Sequence, residues 1–494
     1  MTTTTKRPTG MFGFTVVWVG QIVSLLGTSM TGFAQTLWAY EVTRSATALA
    51  LVGFFFVTPL LIFSPIAGAI VDRYNRKMMM MVSDLASGLT TIVILILYTS
   101  GNLEIWHLYI TAAFQGFFQT FQWPAYSAAI TTMLPKEQYG RANGMMALAE
   151  SASGIFAPML AAAMMAFVGF GGILTIDIIT FIFAIGALLL VEIPQPKVTE
   201  AGLESRGSIW KEAGYGFRYI LKRPPLLGLQ LVFMLGNFFV GIPFAIRAPT
   251  LLASTNNNEL IFGTVNSVGA IGGLVGGLVM SAWGGPKRRI NGVLGGWAIS
   301  SLLGVVIFGF SDGLIGWSIA SFFGAFFVPI INGSNQSIWQ AKVAPDLQGR
   351  VFSIRRLIAW FVMPAAQLVA GPLADFVFEP GMQSGTLMAS TVGRVVGTDP
   401  GSGMSLMWII FGSLAFATAL ASYAIPVIRD VEIILPDHDQ EITQQEDFNT
   451  QLQDLLKTRQ RLLTAPHSQG RERALKHISN ELRELGRRRG FPSI

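Results

Sequence analysis

The sequence predicts an all-α, polytopic membrane protein with twelve transmembrane helices in two six-helix halves, followed by a cytoplasmic helical tail. The 494 residues are 51% hydrophobic and only 13% charged, about half the charged share of a soluble globular chain. Charge-poor apolar stretches recur up to about residue 428, and one long polar segment divides them six and six. In lipid, such stretches are stable as helices, because a helix satisfies its own backbone polar groups.

Each apolar stretch is long enough to cross a bilayer, which takes about 20 helical residues. In chain order the predicted spans are 12–38, 46–70, 78–99, 105–132, 143–168, 171–191, 225–246, 260–283, 290–310, 313–338, 352–377 and 404–427. The first is too long for a removable signal peptide. The predicted domains are an N-terminal half (1–192), a middle connection (193–224), a C-terminal half (225–429) and a tail (430–494).

The basic residues lie mostly on one side of the predicted membrane. A net charge of +6 would favour nucleic acid as a partner of a soluble protein. Here most lysines and arginines lie in loops of one side and in the middle connection, whereas the loops of the other side carry Arg44, Arg247 and Arg394. This asymmetry predicts a multi-pass protein of the inner (plasma) membrane, with both termini cytoplasmic and no nucleic-acid partner.

Two polar segments are predicted to lie outside the bilayer. Residues 209–222 of the middle connection are aromatic and basic, which predicts an amphipathic helix on the inner leaflet. The basic residues of the middle connection either set the topology or bind anionic lipid. The tail holds eleven acidic and ten basic residues and two apolar helical patterns. It is expected to form a helical hairpin, or alternatively an element that docks a cytoplasmic partner.

Signals of catalysis are absent from the sequence. There is no cysteine, and three of the four histidines, His438, His467 and His477, lie in the tail. No metal-ligand spacing, phosphate-binding glycine loop or nucleophile motif is present. The sequence therefore predicts no enzyme, no catalytic residue, no cofactor and no metal site.

Polar residues form stripes on the first, fourth, seventh and tenth predicted spans. Spacings of three and four place each stripe on one helix face, and such faces turn toward the bundle interior or an aqueous cavity. Hydrogen bonding between helices is the alternative explanation. We expect the stripes to line a path for an amphipathic organic molecule. The candidates are Gln21, Thr28, Gln35, Gln115, Gln119, Gln122, Asn237, Asn332 and Gln336.

Two acidic residues, Glu150 and Asp177, lie well inside predicted spans. An ionised acid at mid-bilayer costs about 3 kcal/mol even on the mild insertion scale, so each is expected to be paired, exposed to water or protonated. Both are therefore candidate proton carriers, with a structural hydrogen bond as the alternative. Asp84, near the cytoplasmic end of the third span, is expected to pair with a loop arginine.

The two predicted halves contain similar segments at corresponding positions, which indicates an internal repeat. The fourth span ends in Leu134-Pro135-Lys136-Glu137-Gln138-Tyr139-Gly140-Arg141, and the tenth ends in Ala344-Pro345-Asp346-Leu347-Gln348-Gly349-Arg350. Internal repeats of this kind are common in transporters, which bind their substrate between the repeats.

The segment Gly68-Ala69-Ile70-Val71-Asp72-Arg73-Tyr74-Asn75-Arg76-Lys77 resembles the signature loop of the major facilitator superfamily. Asn75 stands where the family usually has a second glycine, and asparagine also tolerates left-handed backbone. In the family this loop is implicated in switching between inward-open and outward-open states. The resemblance therefore assigns a conformational-switch role to Gly68, Asp72, Arg73, Arg76 and Lys77, with Asp84 expected near Arg73.

Further segments resemble the macrolide-efflux and enterobactin-exporter-like branch of that superfamily. They include Gln122-Trp123-Pro124-Ala125, Arg141-Ala142-Asn143-Gly144, Gly349-Arg350-Val351-Phe352-Ser353 and Gly371-Pro372-Leu373-Ala374-Asp375. The resemblance implies the major facilitator fold and export of a drug-like or siderophore-like compound in exchange for protons. The fourth-span arginine of many drug–proton antiporters is missing, since Ala112 stands there, so Glu150 or Asp177 would have to carry the proton.

Three functional alternatives remain at this point. The chain exports a small amphipathic molecule in exchange for protons, or it moves a lysophospholipid or other lipid, as a neighbouring branch does. In a third reading it is a membrane scaffold or sensor that acts through its tail and transports nothing. A monomer in the lipid bilayer is the expected state.

Overall fold

The computed structural model describes residues 8–43, 46–196, 199, 207–256, 258–383, 385–464 and 469–488. Arg44, residues 197–198 and 200–206 of the predicted middle connection, and residues 465–468 and 489–494 of the tail lie outside these ranges. The chain divides into two compact units, Met1–Leu435 and Pro436–Ile494.

Regular structure in the described residues is entirely helical, which confirms the all-α class. The first unit contains α1 (Gly10–Thr43), α2 (Ala46–Arg73), α3 (Arg76–Thr99), α4 (Ile105–Met133), α5 (Tyr139–Leu190), α6 (Ile209–Leu221), α7 (Pro224–Ala245), α8 (Arg247–Ser254), α9 (Glu259–Trp283), α10 (Arg289–Phe310), α11 (Leu314–Lys342), α12 (Gln348–Leu373), α13 (Leu387–Val396) and α14 (Ser402–Ala424).

Eleven helices of the described residues are long and apolar enough to cross a membrane. The multi-span membrane class is therefore confirmed. Helix α4 is long enough to cross a membrane, with 29 residues, but it is not among the eleven apolar helices. It carries the predicted glutamine stripe. Because α4 is not among the eleven, the count of twelve spans remains a prediction.

Three of the described helices depart from regular α geometry, and one of them is α12, which continues into a π-helix at Ala374–Phe378. Helix α5 contains two predicted spans, which join at Gly169 with φ 66° and ψ −176°, a backbone conformation that glycine adopts without a steric penalty. In α10 the middle residues Ser300–Val306 form a π-helix. The apolar runs thus continue as helix through places where the backbone must bend.

The predicted halves have their own packing. Helix α1 packs along α5, and α2 packs against α4, whereas α7 packs against α12 and α14. Across the two halves, α2 lies against α12 and α5 lies against α9. Hydrophobic clusters fill each half, and a further cluster of the C-terminal half also contacts Trp123 of α4.

The second unit consists of α15 (His438–Thr464) and α16 (Gln469–Arg488), which contact each other. Helix α16 buries Ile478 and Leu482, two members of the apolar pattern that predicted this helix. The short segment 465–468 between the two helices lies outside the described residues.

Candidate substrate cavity and its closure

One end of the helix bundle, here called the basic end, contains Arg73, Arg76, Arg289 and Arg350. At this end Asp72 of α2 reaches the first turn of α12. Its Oδ1 accepts a hydrogen bond from the Gly349 amide at 2.7 Å, and its Oδ2 accepts one from the Arg350 amide at 3.0 Å. The first amides of a helix lack partners within the helix and favour negative charge. Asp72 therefore joins the two halves.

The side chain of Arg350 reinforces this contact. Its Nε lies 3.3 Å from Asp72 Oδ2, and both side chains are buried. The same Nε lies 4.0 Å from Glu212 Oε2. Removing one partner from a buried ion pair commonly costs about 3–5 kcal/mol, so this group strongly favours the closed arrangement.

Helix α6 takes part in the closure, which the sequence did not predict. Glu212 of α6 is buried and accepts hydrogen bonds from Arg73 Nη2 at 2.7 Å and Arg73 Nε at 3.1 Å. Burial raises the pKa of Glu212, but the hydrogen bonds from Arg73 and from the Gly207 amide outweigh it, and the net pKa is lower than usual. The carboxylate is thus ionised at neutral pH.

One expectation about this region is wrong. Arg73 does not pair with Asp84, because its guanidinium binds Glu212. Helix α6 also packs against the bundle, since Tyr219 and Ile220 are buried and Gly216 lies tightly against the Arg350 carbonyl. The available signal was an acid, Glu212, on the same helical face as Tyr215 and Tyr219.

The remaining basic residues of the signature loop bind backbone carbonyls. Arg76 donates to the Ala128 carbonyl at 2.9 Å and to the Pro345 carbonyl. Lys77 Nζ donates to the Val191 carbonyl at 2.8 Å. Arg76 therefore links α3 to the turn before α12, whereas Lys77 holds α3 against the end of α5.

Asn75 has a different role from the one expected of it. Its φ of −63° and ψ of 119° are extended rather than left-handed, and its side-chain oxygen accepts a hydrogen bond from the Met78 amide at 3.2 Å. Asparagine is a preferred N-cap residue for this reason. In this chain the loop replaces a flexible glycine with a helix cap.

The repeat is visible at the basic end. Gly349 packs tightly against the Gly68 backbone carbonyl, and Gly140 packs in the same way against the Gly284 carbonyl. Arg76 binds the Pro345 carbonyl, and Arg289 binds the Lys136 carbonyl at 2.9 Å. The two contacts also differ, since Asp72 has Gly285 as its counterpart when Arg76 is aligned with Arg289, and the buried Arg350 has the exposed Arg141 as its counterpart.

Buried polar side chains extend the closure by about two helical turns. Asn143 Nδ2 donates to Gln340 Oε1 at 2.8 Å, and Gln340 donates to the Ser127 carbonyl at 2.9 Å. Gln336 donates to the Ser127 hydroxyl. These hydrogen bonds join α4 and α5 to α11, and a cavity begins immediately beyond them.

This central cavity has two lobes. The inner lobe, of about 580 Å³, lies next to the closure, and the outer lobe, of about 620 Å³, extends toward the opposite end. Both lobes are lined by Ala147, Glu150, Asn237, Asn332 and Met363. The cavity thus lies between α5 of the N-terminal half and the helices of the C-terminal half, and it is closed at the basic end.

The predicted substrate-path residues divide into two groups. Asn237, Asn332 and Gln336 line the cavity. The candidates of the N-terminal half do not line either lobe. Gln21 and Gln122 bind Asp84, and Thr28 binds Asp177. Gln115 approaches Ser87, whereas Gln35 and Gln119 lie elsewhere on α1 and α4.

The two candidate proton carriers have different surroundings. Glu150 is exposed to the cavity and faces the positive charge of Arg356. Asp177 is 3% exposed, and its carboxylate accepts hydrogen bonds from Thr28 at 3.0 Å and Thr91 at 2.8 Å. Asp177 thus connects α1, α3 and α5 within one half.

The expected arginine partner of Asp84 is not found among the described residues. Instead Asp84 accepts hydrogen bonds from Gln21 at 2.8 Å and from Gln122 at 3.0 Å. The two glutamines also bind each other at 2.8 Å. Asp84 therefore belongs to a polar network inside the N-terminal half and not to the closure.

Three arginines of the cavity were missed. Arg355 and Arg356 line the inner lobe, and Arg247 lines the outer lobe. The charge pattern had placed all three in loops. For Arg355 and Arg356 a signal was available, since both fall inside the predicted span 352–377.

A bundle of apolar helices around a central cavity is typical of a membrane transporter. The family model of the Major Facilitator Superfamily matches residues 17–367. The chain belongs to this superfamily.

Known proteins agree with this assignment. Macrolide efflux protein A of Streptococcus pyogenes is 26% identical over 373 residues, which cover 73% of this chain and 89% of that protein. The multidrug efflux pump Tap of Mycolicibacterium fortuitum is 26% identical over 391 residues, covering 76% and 91%. Among solved structures, the superfamily transporter FucP in the outward conformation has a TM-score of 0.58 at 12% identity, covering 83% and 98%, and shows the fold.

Proposed function

We propose that this chain exports an amphipathic organic compound across the plasma membrane by alternating access, in exchange for protons. The observation that carries the proposal is a central cavity that contains Glu150 and is closed at one end by contacts between the halves. The two efflux proteins similar to this chain support the direction of transport. Drug-like molecules bind in cavities of about 300–1,000 Å³, and the volume of each lobe falls within this range.

The orientation follows from the charges. Arginines and lysines favour the cytoplasmic side, so we place the basic end, both termini and the tail in the cytoplasm. The cavity then faces outward, and export requires the contacts of Asp72, Arg73 and Arg76 to break. We take the chain to act as a monomer, with the tail available to a cytoplasmic partner.

Glu150 is the proposed proton carrier, with Asp177 as the second candidate. A carboxylate in an accessible cavity exchanges protons with water, and its protonation changes the electrostatics beside Arg356. A proton that binds one conformation better than the other shifts the population toward it. Coupling free energies of this kind are about 1–3 kcal/mol.

The test is efflux from a pump-deficient bacterium that expresses the chain, measured for macrolides, dyes and siderophores with and without a protonophore. We expect at least one compound to be exported and the export to stop when the proton gradient collapses. Glu150→Gln should lower gradient-driven export about tenfold with unchanged folded yield. The matched control is Glu192→Gln, which alters an exposed carboxylate outside the cavity. Export that ignores the gradient would contradict proton coupling.

A further inference from the structure

The central cavity carries an excess of positive charge. Its titratable lining residues, among those the structure describes, are Glu150, Arg247, Arg355 and Arg356. Glu150 faces Arg356, so its negative charge balances the charge of one of the three arginines. Arg247 donates to the Ser321 hydroxyl at 2.8 Å and to the Val265 carbonyl at 3.4 Å, which are neutral groups. Two arginines of the cavity thus have no carboxylate partner among the described residues.

Arg355 is the less satisfied of these two. Its side chain makes no ion pair or hydrogen bond with a described residue, and its Nη1 is buried without an acceptor. Its guanidinium carbon lies 5.2 Å from the centre of the Trp339 ring and 5.7 Å from that of Phe352. Cation–π contacts of this kind contribute about 0.5–2 kcal/mol, whereas a buried unpaired charge costs several kcal/mol.

The backbone of Arg355 is fixed at the inner end of the cavity. Gln230 of α7 donates to the Arg355 carbonyl at 3.2 Å, which ties α12 to α7 at this level. Arg356, on the other side of the helix turn, lies 5.1 Å from the centre of the Trp123 ring. The inner lobe therefore contains the Arg355 guanidinium beside aromatic and apolar walls, which include Phe233 and Met363.

We infer that the inner lobe binds an amphipathic organic anion, whose carboxylate, phosphate or sulfonate group pairs with Arg355. A guanidinium forms two parallel hydrogen bonds with such a group, a geometry that a neutral or cationic compound does not satisfy. The apolar or aromatic body of the ligand then occupies the cavity toward Asn237 and the outer lobe. This inference names the substrate class of the proposed transporter and rests on that proposed function.

The anion site and the proposed proton site are separable. Arg355 takes the ligand, whereas Glu150 faces Arg356. Binding can be measured on the purified full chain without transport or a gradient. A failure of export or of proton coupling therefore does not contradict the anion site. An absence of anion binding, in turn, does not contradict proton-driven export.

The experiment compares two probes that differ only in charge, dansylglycine and its neutral amide dansylglycinamide. Each is titrated into the full chain in phosphatidylcholine nanodiscs, and binding is measured by energy transfer from tryptophan to the dansyl group. We expect the carboxylate to bind about tenfold more tightly than the amide. Arg355→Gln should weaken carboxylate binding about tenfold and leave amide binding unchanged. Arg394→Gln, which removes an exposed cation of α13, should change neither.

The source of the natural anion is decided by competition. Displacement of dansylglycine by lysophosphatidylglycerol assigns a lipid-borne phosphate, and displacement by soluble aromatic carboxylates alone assigns a soluble organic anion. Equal affinity for acid and amide, a charge preference that survives Arg355→Gln, or no binding of any of these anions would overturn the inference. If Arg355→Gln fails to fold, Arg355→Lys replaces it, and the comparison of acid and amide binding to the unaltered chain still tests the anion site.

Discussion

Glu150 and Asp177 are both acids inside predicted spans, but their contacts differ in the structure. Glu150 is exposed to the cavity, where water and a positive charge reach it. Asp177 is enclosed by threonines of two other helices, an arrangement that stabilises the packing of one half. Solvent access makes Glu150 the better placed of the two for repeated protonation.

A substitution at Asp177 tests this distinction. In Asp177→Asn the amide offers one acceptor oxygen in place of two, so Thr28 or Thr91 loses its acceptor. We expect a loss of stability of about 1–3 kcal/mol, measured as a lower Tm in detergent, and a gradient dependence of export that is retained. Asp375→Asn, at an exposed carboxylate, is the matched control. If Asp177→Asn abolishes the gradient dependence at normal stability, Asp177 carries the proton instead.

At the scale of single helices, the start of α12 makes the closest contact of the closure with α2. Gly349 lies so close to α2 that an added Cβ would meet the Gly68 carbonyl and would approach Asp72 Oδ1 to 2.6 Å. The neighbouring atoms are backbone or a buried carboxylate, which cannot move aside without breaking the contact between the halves. Glycine is required here for close approach rather than for an unusual φ.

Gly349→Ala should therefore favour the state that is open at the basic end. The measurement is thiol labelling of Ser337→Cys, a position that is buried beside Asn143 in the closure. We expect faster labelling in Gly349→Ala by about tenfold, corresponding to about 1.4 kcal/mol. Gly371→Ala is the control on the same helix, since nothing lies within 4 Å of its added Cβ. Equal labelling rates in the two variants would show that the glycine contact does not hold the closure.

The sequence predicted the elements better than it predicted their contacts. Apolar runs located the helices, and the Gly-Arg echo located two contacts that the structure relates by the repeat. The pairing of Arg73 with Glu212 was not predictable, because it joins residues 139 positions apart and depends on how α6 packs. Likewise, the charge pattern identified Arg355 as basic but not as facing a cavity, since that depends on the rotation of α12 about its axis.

At the scale of the whole transport unit, we propose that the basic end and the opposite end open in turn and never together. Asp72, Arg76 and Gln340 hold the basic end shut, while the cavity extends to the other end. Charge-assisted hydrogen bonds contribute about 1.5–3 kcal/mol each, so losing one shifts the two populations by about one order of magnitude or more. The opening of one end should accompany the closing of the other.

The most direct test of this account is reciprocal labelling from the two sides of the membrane. The chain has no cysteine, so Ser337→Cys in the closure and Asn332→Cys in the cavity each provide a unique thiol. An impermeant thiol reagent is applied to right-side-out and inverted vesicles, with and without Asp72→Asn. We expect Asp72→Asn to speed labelling of position 337 from the basic side and to slow labelling of position 332 from the opposite side. Labelling rates that stay unchanged, or that rise together at both positions, would contradict alternating access in this protein.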